Sequence, residues 1–272
     1  MPIKLMYITN DAEIARIAEN AGVDRIFIDL ETVGKQERQG GMDTVQSKHT
    51  LDDIKTIKSV LKKSELLVRS NPIYENSENE INRIIENGAD IVMLPYFKKP
   101  SEVRDFLKYT GGRVRTCLLF ETPEAVENAD EILELDGIDE VFIGLNDLSL
   151  GYGKKFMFEL LADGTVEKLC LKFKLKGIPY GFGGIAAIGT GTLPAEVILK
   201  EHYRLGSGCV ILSRSFCNYE KIGDTEKVRE IFDNGLREMR LFEEEVKQHS
   251  DYFNSNAKKL KECVEIITGG LK

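Results

Sequence analysis

Phe120-Glu121-Thr122 and Phe142-Ile143-Gly144-Leu145-Asn146-Asp147 each close a short apolar run, Thr116 to Phe120 and Glu140 to Ile143, that reads as a buried strand. Between them Pro123 to Leu135 is amphipathic at helical spacing, with Ala125, Val126, Ala129, Ile132 and Leu133 on the apolar side. The two carboxylates are therefore about one βα unit apart. A parallel sheet would set Glu121 and Asp147 at the carboxyl ends of neighbouring strands, where such folds bind their ligands. Two anionic oxygen donors there suit a hard divalent cation such as Mg²⁺ or Mn²⁺. Either residue alone reads by default as an exposed loop acid.

The same alternation extends outward along the chain. Lys4–Thr9, Arg25–Leu30, Glu65–Ser70, Asp90–Leu94, Ile178–Phe182 and Gly208–Ser213 complete a set of eight strand candidates. Helical patterns lie between them: Asp11–Ala21 after an Asn10 cap, Leu51–Leu61 after a Thr50 cap, Glu78–Asn87, Ser101–Tyr109, Phe156–Lys176 and Leu193–Leu205. Gly22, Gly88, Gly137, Gly177 and Gly206 follow helical stretches, as terminating glycines do. Eight βα units predict a (β/α)₈ TIM barrel over residues 1–220, with an open doubly wound sheet as the rival. Residues 221–272 carry two further helical stripes, Val228 to Val246 and Phe253 to Ile267. One is expected to complete the barrel; the other is surplus and suits packing on its own domain or contacts in a homo-oligomer.

Composition narrows the function classes. A length of 272 residues with 42% hydrophobic and 30% charged residues describes a globular α/β chain. A net charge of -8 argues against nucleic-acid binding. No apolar run reaches membrane-spanning length, and the amino terminus turns polar too soon for a signal peptide. The five cysteines form no C-x-x-C pair; Cys117 and Cys209 sit in strand-like runs and read as reduced core thiols. A cytoplasmic protein is expected.

Other strand tips add chemistry to the same rim. Strand two ends in Asp29-Leu30-Glu31 and strand three in Arg69-Ser70-Asn71. The Arg69 fork can donate to a carboxylate or carbonyl oxygen, or pair with Glu31 or Glu121. Pro95, after strand four, and Gly144, Leu145 and Asn146, beside Asp147, are candidates to shape a substrate pocket.

These segments together resemble the HpcH/HpaI aldolase and citrate lyase β-subunit-like family. The likeness rests on Phe27–Glu31, Leu67–Asn71, Gly88–Pro95, Leu119–Ala125 and Gly137–Ser149, in the family's order and spacing. It implies a metal-dependent barrel enzyme that handles a pyruvate-like or acyl-CoA enolate. It implies also that Glu121 and Asp147 hold the metal, that Arg69 steadies the enolate oxygen, and that oligomers form by swapping terminal helices. The expected activity is carbon–carbon lyase or aldolase chemistry joining a 2-oxo acid to an aldehyde. A malyl-CoA, citramalyl-CoA or citryl-type thioester lyase is the alternative, and so is a catalytically weakened partner subunit that binds the 2-oxo acid.

One departure stands out. The aldolase branch carries Glu-His where this chain has Glu31-Thr32, and a threonine hydroxyl is too weak a base at neutral pH. His49 is the one histidine close in sequence to the rim and reads as the candidate base or equally as a helix-flanking polar residue, with a water held by Glu31 or Asp29 as the alternative base. His202 and His249 read as structural. The long second loop, Val33 to His49, brings Lys35 and Arg38, ordinarily a solvated cationic pair and otherwise candidate contacts for an anionic tail. The stretch Gly181 to Thr192, with Ser213 and Arg214, is a candidate anion cradle or a plain barrel turn.

Overall fold

Continuous apolar runs are the mark of parallel strands buried on both faces, and such runs form the inner wall here. The structure, a computed structural model, describes residues 2–33 and 48–270. Lys35 and Arg38 lie outside the described residues. The strands are β1 (Lys4–Ile8), β2 (Arg25–Asp29), β3 (Glu65–Arg69), β4 (Ile91–Leu94), β5 (Arg115–Phe120), β6 (Glu140–Ile143), β7 (Tyr180–Phe182), β8 (Gly184–Ile185) and β9 (Cys209–Leu212). They pair in parallel in the order β7-β6-β5-β4-β3-β2-β1-β9-β8. The two ends of that order are halves of one strand, broken at Gly183, whose φ of +57° is left-handed. The Gly208 N–H donates to the Tyr180 carbonyl at 2.9 Å across the join. Gly181 permits this closure, because a Cβ there would lie 2.5 Å from the Cys209 carbonyl oxygen. The sheet is a (β/α)₈ barrel.

The lumen is packed rather than open. Met6, Phe27, Leu67, Met93, Cys117, Leu119, Phe142 and Cys209 fill its centre. Below them Arg25, 2% exposed, reaches across from β2 to bond Glu140 on β6 through both terminal nitrogens, at 2.7 and 2.9 Å. Its Nε bonds Glu65 at 2.8 Å. This ionic plug closes the amino-terminal end, so the carboxyl-terminal rim is where the lumen meets solvent. Burial pushes the Cys209 thiol up to about 12, in keeping with an inert core thiol.

Helices depart from expectation where local chemistry interrupts them. Asp11, not Asn10, caps the first helix, accepting from the N–H groups of Glu13 and Ile14. Pro123–Leu135 is two short helices, Pro123–Glu127 and Ala129–Ile132, divided at Asn128, whose side chain donates to the Glu124 and Lys98 carbonyls. Phe156–Lys176 likewise divides at Gly164, with φ of +83°. The two terminal stripes form Thr225–Val246 and Phe253–Gly270. The first packs on the helix Ala12–Ala21, and its Glu243 accepts from Ile3 N–H at 2.5 Å and from the Tyr203 hydroxyl at 2.7 Å. The second lies on the helix Ala195–Leu205 of its own chain, pinned by Asn256, which donates to Glu201 and to the Val197 carbonyl. No helix among the described residues is long and apolar enough to cross a membrane.

His202 is structural, as expected. It is fully buried, stacks on Phe182 at 3.9 Å and shares a hydrogen bond of 2.8 Å between Nδ1 and the Ser207 hydroxyl. Burial pulls its pKa down to about 3, whereas the unfolded chain titrates near ~6.5. Over that window the unfolded state binds more protons, so this group's contribution is complete above pH ~6.5 and is lost as pH falls toward ~3. The slope is at most about 1.4 kcal/mol per pH unit. Urea unfolding of His202→Phe should therefore lose about 2 kcal/mol less stability than the native chain between about pH 7 and pH 5. Parallel pH profiles would contradict this.

Candidate active site

At the carboxyl-terminal rim the tips of β2 and β3 lie side by side, with Asp29 opposite Arg69 in register. The guanidinium bonds both Asp29 oxygens at 2.8 Å, through Nε and Nη2. Its Nη1 stands 3.3 Å from Glu31. Burial alone would favour the neutral arginine, but Asp29 and Glu31 outweigh it and hold the charge more firmly than usual. The two readings of Arg69 are thus not exclusive: Asp29 and Glu31 fix the fork, and its five donors leave N–H groups for a substrate oxygen.

Glu121 follows β5 and is 4% exposed. The Tyr96 N–H donates to its Oε1 at 3.0 Å. Tyr96 achieves this with φ of +48°, the left-handed region that a non-glycine residue occupies at a cost of ~1–3 kcal/mol. Burial pushes the Glu121 carboxyl well above the usual carboxylate range, and the charges of Glu31 and Asp147 add to it while Arg69 opposes. Asp147 lies half-buried in the first turn of the helix Leu145–Gly151, after β6. Gly144 separates the two acids. Its φ of -82° suits any residue, yet a Cβ there would sit 2.8 Å from both Cβ and Oε2 of Glu121.

The described part of the long second loop ends at His49, whose Nδ1 accepts the Asp29 backbone N–H at 3.0 Å. Thr32 turns to Asn71, which accepts its N–H at 2.8 Å and that of Val33 at 2.9 Å.

A cavity of about 710 Å³ opens at this rim. Asp29, His49, Arg69, Glu121, Gly144, Leu145, Asn146 and Asp147 line it, bringing together candidates from five stretches of sequence. Glu31 and Pro95 do not. Glu31, 1% exposed, stands beside Arg69 instead. Pro95 is buried and leads into the Tyr96 turn rather than forming a wall. Of the stretch read as an anion cradle or a plain barrel turn, Gly183 and Gly184, with Ser213 and Arg214, line the cavity. Gly183 N–H is spent on the Ile143 carbonyl, Thr190 N–H on Ala187 and Gly189 N–H on Glu196. Tyr7 on β1, Asn10 just beyond it, and Asn218 and Tyr219 after β9 line the cavity as well and were not anticipated. Asn10 was read as a helix cap, and nothing local marks the other three.

The sequence profile of the HpcH/HpaI aldolase/citrate lyase family matches residues 4–162. The chain belongs to that family. Two curated relatives are each named hydroxypyruvate/pyruvate aldolase. The one from Rhizorhabdus wittichii is 60% identical over 90 residues, which cover 30% of this chain and 36% of that protein. The one from Sagittula stellata is 28% identical over 107 residues, 29% of this chain and 42% of that protein. The match spans well under half the length of either relative. An HpcH/HpaI aldolase from Desulfitobacterium hafniense shares the fold with a TM-score of 0.62, at 19% identity over 84% of this chain and 93% of that one. A family protein from Burkholderia cenocepacia gives 0.60, at 16% identity over 84% and 95%.

Where space is free, Gly→Ala at an ordinary φ stabilises a protein by ~0.4–1 kcal/mol. At Gly144 the added methyl must displace the Glu121 carboxylate, so Gly144→Ala should instead destabilise by about 1–3 kcal/mol in urea unfolding. A more stable variant would show that Glu121 has room to move.

Proposed function

We propose that the family member described here is a divalent-metal-dependent aldolase or carbon–carbon lyase that works through a pyruvate-type enolate. The observation that carries this reading is the juxtaposition of Glu121, Asp147 and Arg69 in one cavity. Glu121 is buried among acids, and a cation would relieve that crowding. No group of three or more His, Cys, Asp or Glu side chains is arranged to hold a metal ion among the described residues. The donor set still fits Mg²⁺ or Mn²⁺, which commonly take one or two carboxylates and complete their shell with water and substrate oxygens. Glu121 and Asp147 would hold the ion. When bound it supplies Lewis-acid neutralisation of oxygen charge at the 2-oxo acid.

Breaking a bond beta to a carbonyl leaves an enolate, and its oxygen charge must be met. Arg69 does this with a guanidinium already fixed by Asp29 and Glu31, so little reorganisation is needed as charge develops. Tyr96 and Gly144 hold the Glu121 carboxylate in place. The names of the curated relatives support pyruvate or hydroxypyruvate as the 2-oxo acid. A cavity of about 710 Å³ leaves ample space beside so small a molecule, which supports a second, aldehyde substrate in the same cavity.

Titration calorimetry with Mn²⁺ and pyruvate should show binding that Glu121→Ala and Asp147→Ala each weaken by ~10-fold or more. Binding of native strength in both variants would end the metal assignment.

A further inference from the structure

We propose, resting on the aldolase reading above, that Phe27 is a positioning residue: its ring is the floor under the Arg69 fork and sets the plane in which the guanidinium meets the 2-oxo acid. Arg69 Cζ stands over the Phe27 ring, 5.7 Å from its centroid. That is within reach of the attraction between a cation and the negative face of an aromatic ring. The placement follows from the strands. Side chains two apart on a strand share a face, so Phe27 lies one layer below Asp29 on β2. Asp29 pairs in register with Arg69, and Phe27 with Leu67. Arg69 is therefore met at its edge by Asp29 and at its face by Phe27. Phe27 is 2% exposed and shares the lumen with Leu67, Met93 and Phe142, yet it also lines the cavity.

The ion pairs leave a freedom that the ring removes. Asp29 takes Nε–H and one N–H of Nη2, each at 2.8 Å, and Glu31 stands 3.3 Å from Nη1. Of the five N–H groups, one on Nη2 and at least one on Nη1 stay for a substrate oxygen. A bidentate pair is strong in its own plane, but its two members can pivot together about the line that joins them. A pivot toward the lumen would carry the remaining N–H groups away from the rim, and the Phe27 ring occupies that space. The ring also keeps water from one face of the guanidinium, so less of its field is spent on solvent. Packing alone would accept any apolar side chain of this bulk. A flat, electron-rich face beneath a flat cation is a narrower requirement, which an aliphatic chain does not meet.

Two measurements on the full chain test this. Phe27→Met and Phe27→Leu both keep the layer apolar and remove the ring, and a thermal melt selects the variant that stays cooperative. In ¹⁵N-arginine-labelled protein, with Arg69→Lys used to assign the signal, the Arg69 Nε–H should exchange with water ~10-fold faster once the ring is gone. Exchange at the native rate would overturn the proposal. This reading needs no turnover, so it stands apart from any failure of the aldolase assignment. The second measurement is the exchange of pyruvate methyl protons with deuterated water, with Mn²⁺ present and pyruvate saturating. Removing the ring should slow it by ~10-fold in the native background. In an Arg69→Lys background the same change should cost less than about 2-fold, because an ammonium has no plane to set. Equal losses in the two backgrounds would make Phe27 a packing residue only and overturn the positioning role.

Discussion

Everything at the rim depends on keeping a largely covered guanidinium charged and fixed in one orientation. An isolated buried charge is untenable, and removing one partner of a buried pair costs roughly 3–5 kcal/mol. Arg69 is tolerated because Asp29 takes two of its N–H groups and Glu31 faces a third nitrogen. That arrangement fixes the fork and sets the field felt by Glu121, whose carboxyl burial pushes up and Arg69 pulls back. It also places the Asp29 backbone so that its N–H meets His49. One ion cluster therefore ties together the tips of β2, β3 and β5 and the end of the second loop.

The barrel supplies the precision this requires. Parallel register aligns Asp29 with Arg69, and the ionic plug around Arg25 seals the opposite end, leaving one open rim. Two backbone features do the fine placement. Tyr96 accepts a left-handed φ so that its N–H reaches Glu121, and Gly144 omits a side chain that would displace it. Strain and missing atoms at a strand tip are what a functional site asks of a scaffold. The terminal helices belong to the same unit, since Glu243 and Asn256 tie them to Ile3 and to the helix Ala195–Leu205.

Much of this was legible in the residues. Buried parallel strands announce themselves as apolar runs, so the eight βα units and the rim positions of Asp29, Arg69, Glu121 and Asp147 could be read directly. Helix continuity was less readable, because an amphipathic pattern runs unbroken through Asn128 and Gly164 although the backbone does not. Asp11 displaced Asn10 as a cap for a reason of one residue's register. The direction of the His49 hydrogen bond was invisible, since sequence proximity to the rim says nothing about which ring nitrogen is engaged. So were Tyr7, Asn218 and Tyr219, which meet only when the barrel closes.

The central claim is that Arg69 acts as an oriented fork and not merely as a buried positive charge. Arg69→Lys separates the two, keeping the charge and losing the geometry. The decisive measurement is the rate at which pyruvate methyl protons exchange with deuterated water in the presence of Mn²⁺, followed by NMR alongside a thermal melt. The account predicts a fall of ~10² or more in exchange, with a folded, cooperative variant. Exchange at the native rate would contradict it and leave Arg69 as a structural ion-pair partner.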